Sequence, residues 1–110
     1  MQQECAIIDN YLCIKMPKEL DHHGASDIRK LADELIIDDR VKNIVFDFQN
    51  IRFMDSSGIG VIIGRYKKIA GVHGKVSVIN MNSRVEKVFN LSGMGKIINV
   101  CKSYEDAINS

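Results

Sequence analysis

The run Met54-Asp55-Ser56-Ser57-Gly58-Ile59-Gly60 packs two hydroxyls, a carboxylate and two glycines into seven residues. Four uses of such a run can be set against its spacing. A nucleophilic serine of the Gly-x-Ser-x-Gly type needs glycine two places before it, and Met54 and Asp55 stand two places before Ser56 and Ser57. A dinucleotide cradle on Gly58-x-Gly60 needs a third small residue at position 63; Ile63 is there and Gly64 comes one place late. No Gly-Lys-Ser/Thr occurs, which removes the P-loop. A serine that accepts a phosphoryl group and so switches a surface fits the spacing. A plain helix cap fits it as well, because Asp55, Ser56 and Ser57 can each accept from a free backbone N–H.

The flanking residues say what positions this run. Ile44-Val45-Phe46-Asp47-Phe48 precedes it and reads as a buried strand. Ile59, Ile62, Ile63, Tyr66 and Ile69 follow on one helical stripe. The seven residues are therefore a strand-to-helix turn, where free N–H groups and the positive dipole end surround an exposed serine.

The rest of the chain alternates in the same way. Residues 5–8 and 11–16 read as strands joined by the turn Asp9-Asn10, and Pro17 ends the second. Ile28, Leu31, Ala32, Leu35 and Ile36 predict an amphipathic helix with Asp21 as its N-cap. Strand 43–48 leads into the organising turn, and the helix after it is expected to end near Ala70, with Gly71 at C′. Val76 to Ile79 is the next strand. Ser83 with Glu86 has capping-box spacing for a helix burying Val85, Val88 and Phe89. Residues 97–101 form a last strand, and Ser103 with Asp106 opens a terminal helix. Strands alternating with helices after a hairpin imply an α/β fold with a mixed sheet. No internal repeat is read.

A length of 110 residues fits one domain, residues 1–110, and 45% hydrophobic residues suffice for one core. A net charge of +1 without a basic stretch argues against nucleic acid as the main partner. No apolar run nears membrane-spanning length, and residues 1–4 do not resemble a signal peptide, so a cytoplasmic location is expected. Cys5, Cys13 and Cys101 lie in apolar runs and are expected to be buried free thiols.

Other polar residues invite milder readings. His22 and His23 are expected in a polar loop at the sheet edge, and no third ligand has metal-site spacing. Asp47 is expected to hydrogen-bond loop backbone at its strand end. Arg65, Lys67 and Lys68 read as a solvated helix face. No cofactor is implied, and no base is placed by sequence to activate Ser56 or Ser57, which argues against an enzyme.

Residues 53–67, Phe-Met-Asp-Ser-Ser-Gly-Ile-Gly-Val-Ile-Ile-Gly-Arg-Tyr-Lys, resemble the signature of bacterial anti-sigma factor antagonists, the STAS domain family. Glu19-Leu20-Asp21-His22-His23, and Leu91-Ser92-Gly93 with Lys96-Ile97-Ile98, are similar to its sporulation branch, the antagonists of the anti-sigma F factor. The resemblance covers nearly the whole chain. It implies a mixed sheet with helices packed on one side, and a partner switch. In that switch the unphosphorylated antagonist binds an anti-sigma factor with bound nucleotide that is also a serine kinase, and sigma is released. The kinase phosphorylates the serine after the signature aspartate, here Ser56, and a PP2C-type phosphatase reverses it. The implied contact face is Asp21, His22, His23, Asp55, Ser56, Ser57, Gly58 and Ile59. A stress-response sigma factor, or a nucleotide or small ligand held at Gly58 and Gly60, remain the alternative readings. Two departures are visible: Lys18 replaces the usual glycine before Glu-Leu-Asp, which bears on that loop's geometry. Gly95 replaces a larger apolar residue, so a looser late loop is expected.

Overall fold

A computed structural model describes residues 5–109. The hairpin forms as expected, from β1 (Cys5–Ile8) and β2 (Tyr11–Lys15), and Asp9 takes the turn with φ 55°. A short β3 (Glu19–Leu20) precedes α1 (His22–Ile36). Next come β4 (Asn43–Asp47), a second short strand β5 (Phe53–Met54) and α2 (Ser56–Ala70). The chain finishes with β6 (Val76–Ile79), α3 (Ser83–Leu91), a 3-10 turn (Met94–Lys96), β7 (Asn99–Cys101) and α4 (Tyr104–Asn109).

The main sheet has the order β1-β2-β4-β6-β7. Only the β1–β2 pair is antiparallel. Side chains alternate across a strand, so β4 feeds both faces. Ile44 and Phe46 enter the large core with Ala25, Ile28 and Ala32 of α1, Val61, Ile62 and Ile69 of α2, and Val85 and Phe89 of α3. Val45 points to the back, where it meets Ile79 and Ala107 of α4 in a small second cluster. The mixed sheet with helices on one side is thus what α1, α2 and α3 build, and α4 adds a short cover behind. Tyr104 of α4 contacts the Cys13 thiol across this back face, and burial raises the proton affinity of both groups.

Several local expectations change. Cys5 is exposed and Cys13 and Cys101 are half-buried, because they lie on the edge strands or the thinly covered back face. Gly71 is right-handed at φ −63°, and His73 takes the positive φ that ends this turn. Asn82, not Ser83, caps α3 by accepting from the Val85 N–H. Gly95 is exposed and Met94 beside it is buried. Asp47 behaves as expected: its Oδ1 accepts from the Gln49 N–H at 2.9 Å and from Asn80 Nδ2 at 3.1 Å.

Candidate functional site

The two short strands position the site. β3 and β5 form a separate parallel pair, with Glu19 opposite Phe53 and Leu20 opposite Met54. Two residues carry no hydrophobic period, so neither strand was legible in the sequence. Their pairing sets the turn after β3 beside the turn after β5, and the Asp55 N–H donates to the Leu20 carbonyl at 3.4 Å. Arg52 N–H donates to the Lys18 carbonyl at 2.7 Å, so Lys18 serves this junction through its backbone.

Asp55 is the N-cap of α2: its backbone is extended and its Oδ1 accepts from the Ser57 N–H at 2.8 Å. Ser56 is therefore the first helical residue and not the cap. It is exposed, and its hydroxyl makes no hydrogen bond among the described residues. The positive dipole end of α2 lies under it, while the N–H groups of Ser57 and Gly58 already donate to Asp55, at Oδ1 and at the carbonyl. Ser57 is half-buried one residue further on.

Asp21 does the same for α1, accepting from the Gly24 N–H at 3.0 Å. That hydrogen bond, helped by the nearby His23, holds its carboxyl below the usual carboxylate range. His22 and His23 are exposed in the first turn of α1 and not in a loop, with ring centroids 6.1 Å apart. Among the described residues no group of three or more His, Cys, Asp and Glu is placed to hold a metal ion.

Two members of the expected face do different work. Gly58 is buried: a Cβ there would lie 2.7 Å from the Leu20 side chain and 2.8 Å from Met54. It closes the packing of α2 on the β3–β5 pair and offers no surface, nor can it cradle a phosphate. Ile59 is half-buried and packs against the core. Phe53, which the sequence reading passed over, is 52% exposed immediately before this turn.

Arg65 is the largest departure. It is only 6% exposed, between α1 and α2, and its Nε lies 3.2 Å from Asp33 Oδ1. Lys68 Nζ reaches the same oxygen at 2.8 Å. A helical wheel of α2 alone puts Arg65 on the polar side; only the docking of α1 against that side buries it.

A turn of this geometry on a β1-β2-β4-β6-β7 mixed sheet is that of a STAS domain, and the profile of the STAS domain family matches residues 2–107. The chain belongs to that family. It is similar to the anti-sigma F factor antagonist of Paenibacillus polymyxa, being 37% identical over 99 residues that span 90% of this chain and 82% of the relative. It also resembles the solved structure of the anti-sigma factor antagonist SpoIIAA in its unphosphorylated form. That match has a TM-score of 0.84 and 31% identity, and covers 98% of this chain and 94% of that one. The phosphorylated form of SpoIIAA, a Bacillus cell fate determinant, matches with a TM-score of 0.75 and 30% identity over 98% and 97% of the two chains. These relatives are regulatory binding proteins. No helix among the described residues is long and apolar enough to cross a membrane.

Proposed function

We propose that this chain is a phosphorylation-controlled anti-sigma factor antagonist of the sporulation sigma F type, working as one domain in the cytoplasm. Unphosphorylated, it binds an anti-sigma factor that is also a serine kinase, and sigma is released. Transfer of a phosphoryl group from the kinase's nucleotide to Ser56 Oγ ends that binding, and a PP2C-type phosphatase restores it. The single observation that carries this reading is the exposed, unbonded hydroxyl of Ser56 at the first position of α2, with Asp55 already serving as the cap. The likeness to antagonists of the anti-sigma F factor supports it, as does the existence of SpoIIAA in both phosphorylation states.

The physics of the turn is consistent with a switch that leaves the fold alone. Phosphate adds about −1.5 to −2 charges. At a helix N-terminus those charges meet the favourable dipole end. The partner face, built for a neutral hydroxyl, must instead desolvate or repel a dianion. About 3 kcal/mol of such mismatch lowers affinity more than a hundredfold. The face comprises Ser56, Ser57 and Asp55 with Asp21, His22 and His23 from the adjoining turn.

Titration of four forms, wild type, phosphorylated wild type, Ser56→Ala and Ser56→Glu, onto the anti-sigma factor with bound nucleotide tests the reading. Ser56→Ala binds whatever the kinase does. Ser56→Glu folds, because a carboxylate suits a helix N-terminus, and binds weakly. Equal affinity of wild type, phosphorylated wild type and Ser56→Glu would remove charge at Ser56 as the switch.

A further inference from the structure

The β3–β5 pair joins two stretches that are far apart in the chain. At its start the Lys18 carbonyl accepts from the Arg52 N–H at 2.7 Å and from the Phe53 N–H at 3.3 Å. Side chains alternate along a strand. Leu20 and Met54 face the core, so Glu19 and Phe53, which stand opposite each other, face out, and both are exposed. Phe53 is the one exposed phenylalanine or tyrosine among the described residues. Its ring takes no part in the core, where Met54, at 6% exposure, fills the inward place of β5.

Two cations accompany that ring, Arg52 before it in the chain and Lys18 across the strand pair. Both are exposed, and neither makes an ion pair among the described residues, with Glu19 or any other carboxylate. Their backbones are tied into the junction while their side chains stay unused. Only Met54 and Asp55 separate Phe53 from Ser56. Aromatic and arginine side chains carry most of the energy at protein interfaces, and exposed charges steer the approach and choose the partner. Lys18 also stands where the sequences this chain resembles usually have glycine, so this charge is its own.

We propose that Phe53, with Lys18 and Arg52 beside it, is a second contact patch for the anti-sigma factor, independent of the phosphorylation state of Ser56. It fits a partner face that has an apolar pocket rimmed by carboxylates: Phe53 enters the pocket and the two cations meet the rim. The neighbouring turns carry Asp21 and Asp55, so a partner meets carboxylates there and cations here, a pattern that fixes its orientation. The patch supplies affinity and partner identity, with Lys18 as the specificity-determining residue, and Ser56 supplies control. This rests on the partner switch proposed above and deepens it.

Surface plasmon resonance of the full chain on the immobilised anti-sigma factor with bound nucleotide, at low and at high salt, tests it. Phe53→Ala should weaken binding about tenfold or more, chiefly through faster dissociation. Phe53→Leu, which keeps apolar bulk, should recover part of that loss. Lys18→Glu and Arg52→Glu should each slow association severalfold at low salt, and the gap should narrow at high salt as charge is screened. All three positions are exposed, so melting temperatures should stay close to wild type, which separates lost contact from lost fold. Wild-type affinity of Phe53→Ala together with wild-type association of both charge variants overturns the patch. Ser56→Glu run beside them separates the two ideas. If Ser56→Glu is weakened and the patch variants are not, the switch stands and the patch falls; the opposite result keeps the patch and removes the switch. Unchanged binding to the anti-sigma factor with slower dephosphorylation by the PP2C-type phosphatase would give the patch to that enzyme and overturn this assignment.

Discussion

The turn after β3 and the turn after β5 are local copies of each other. Leu20-Asp21-His22-His23-Gly24 aligns with Met54-Asp55-Ser56-Ser57-Gly58. Each begins on a two-residue strand of the same parallel pair, each aspartate is an extended N-cap, and each helix runs for 15 residues. Each glycine sits where a Cβ would collide: 2.2 Å from the Glu19 carbonyl oxygen at Gly24, and 2.7 Å from the Leu20 side chain at Gly58. The sequence reading found no repeat because the copies share only an apolar residue, Asp and Gly at fixed offsets. The difference lies at the first two helical positions. One turn presents imidazoles and the other hydroxyls, so only the second offers an acceptor to a serine kinase. The shared backbone is scaffold, and under the proposed function the side chains would divide recognition from switching.

The largest effect should come from the position that breaks the equivalence. Phosphorylation of Ser56 is expected to lower affinity for the anti-sigma factor by more than a hundredfold, read by calorimetry. Peptide mass spectrometry after kinase treatment should place the phosphate on Ser56 alone. Phosphate on Ser57 would mean that exposure at the first helical position is not what the kinase selects. Ser56→Ala should change stability by less than about 0.5 kcal/mol, since Asp55 and not Ser56 is the cap.

The two glycines come next. Gly24→Ala pushes a methyl into a backbone carbonyl and should cost about 3 kcal/mol; Gly58→Ala meets side chains that can yield and should cost about 1 kcal/mol. At about 4–8 °C per kcal/mol for a domain near this size, thermal melts resolve the difference. Equal losses would mean that the two turns are equally tight.

The caps differ less. Asp55→Ala should lose about 1 kcal/mol, and Asp55→Asn, which keeps an accepting oxygen, much less. Asp21→Asn should likewise leave the melting temperature nearly unchanged while weakening the partner. Unchanged affinity with a lowered melting temperature would make Asp21 a structural cap only.

Smallest is the acid response. Asp21 is held below the usual carboxylate range by the Gly24 N–H. Asp38 is held down at about 2 by Arg40, whose guanidinium and backbone N–H both donate to it. A folded pKa below the unfolded one gives stability that is present above the unfolded value and is lost as pH falls through the folded one. The Asp38 contribution should thus fade between about pH 4 and pH 2, and that of Asp21 as pH falls below the usual carboxylate range. Carboxyl NMR titration should show Asp38 protonating near 2, and a midpoint near 4 would deny the Arg40 contact in solution.

Local pattern alone determined much of this protein. Period-two and helical stripes fixed the hairpin, the strands at 43–47 and 76–79, and the long helices, because each reflects which side chains must leave water. The Asp55-Ser56-Ser57-Gly58 run marked the turn, since capping chemistry acts within one helical turn. What pattern could not carry was decided by contacts between segments far apart in the chain. The β3–β5 pair is too short to show a period, yet it brings the Asp21 turn beside Ser56. Gly58 suits a close approach to a ligand or tight helix packing alike until Leu20, distant in sequence, fills the space beside it and decides for packing. Arg65 reads as solvated until α1 covers it and leaves Asp33 as its incomplete partner. Burial belongs to a pair of surfaces, and one strand or helix specifies only its own.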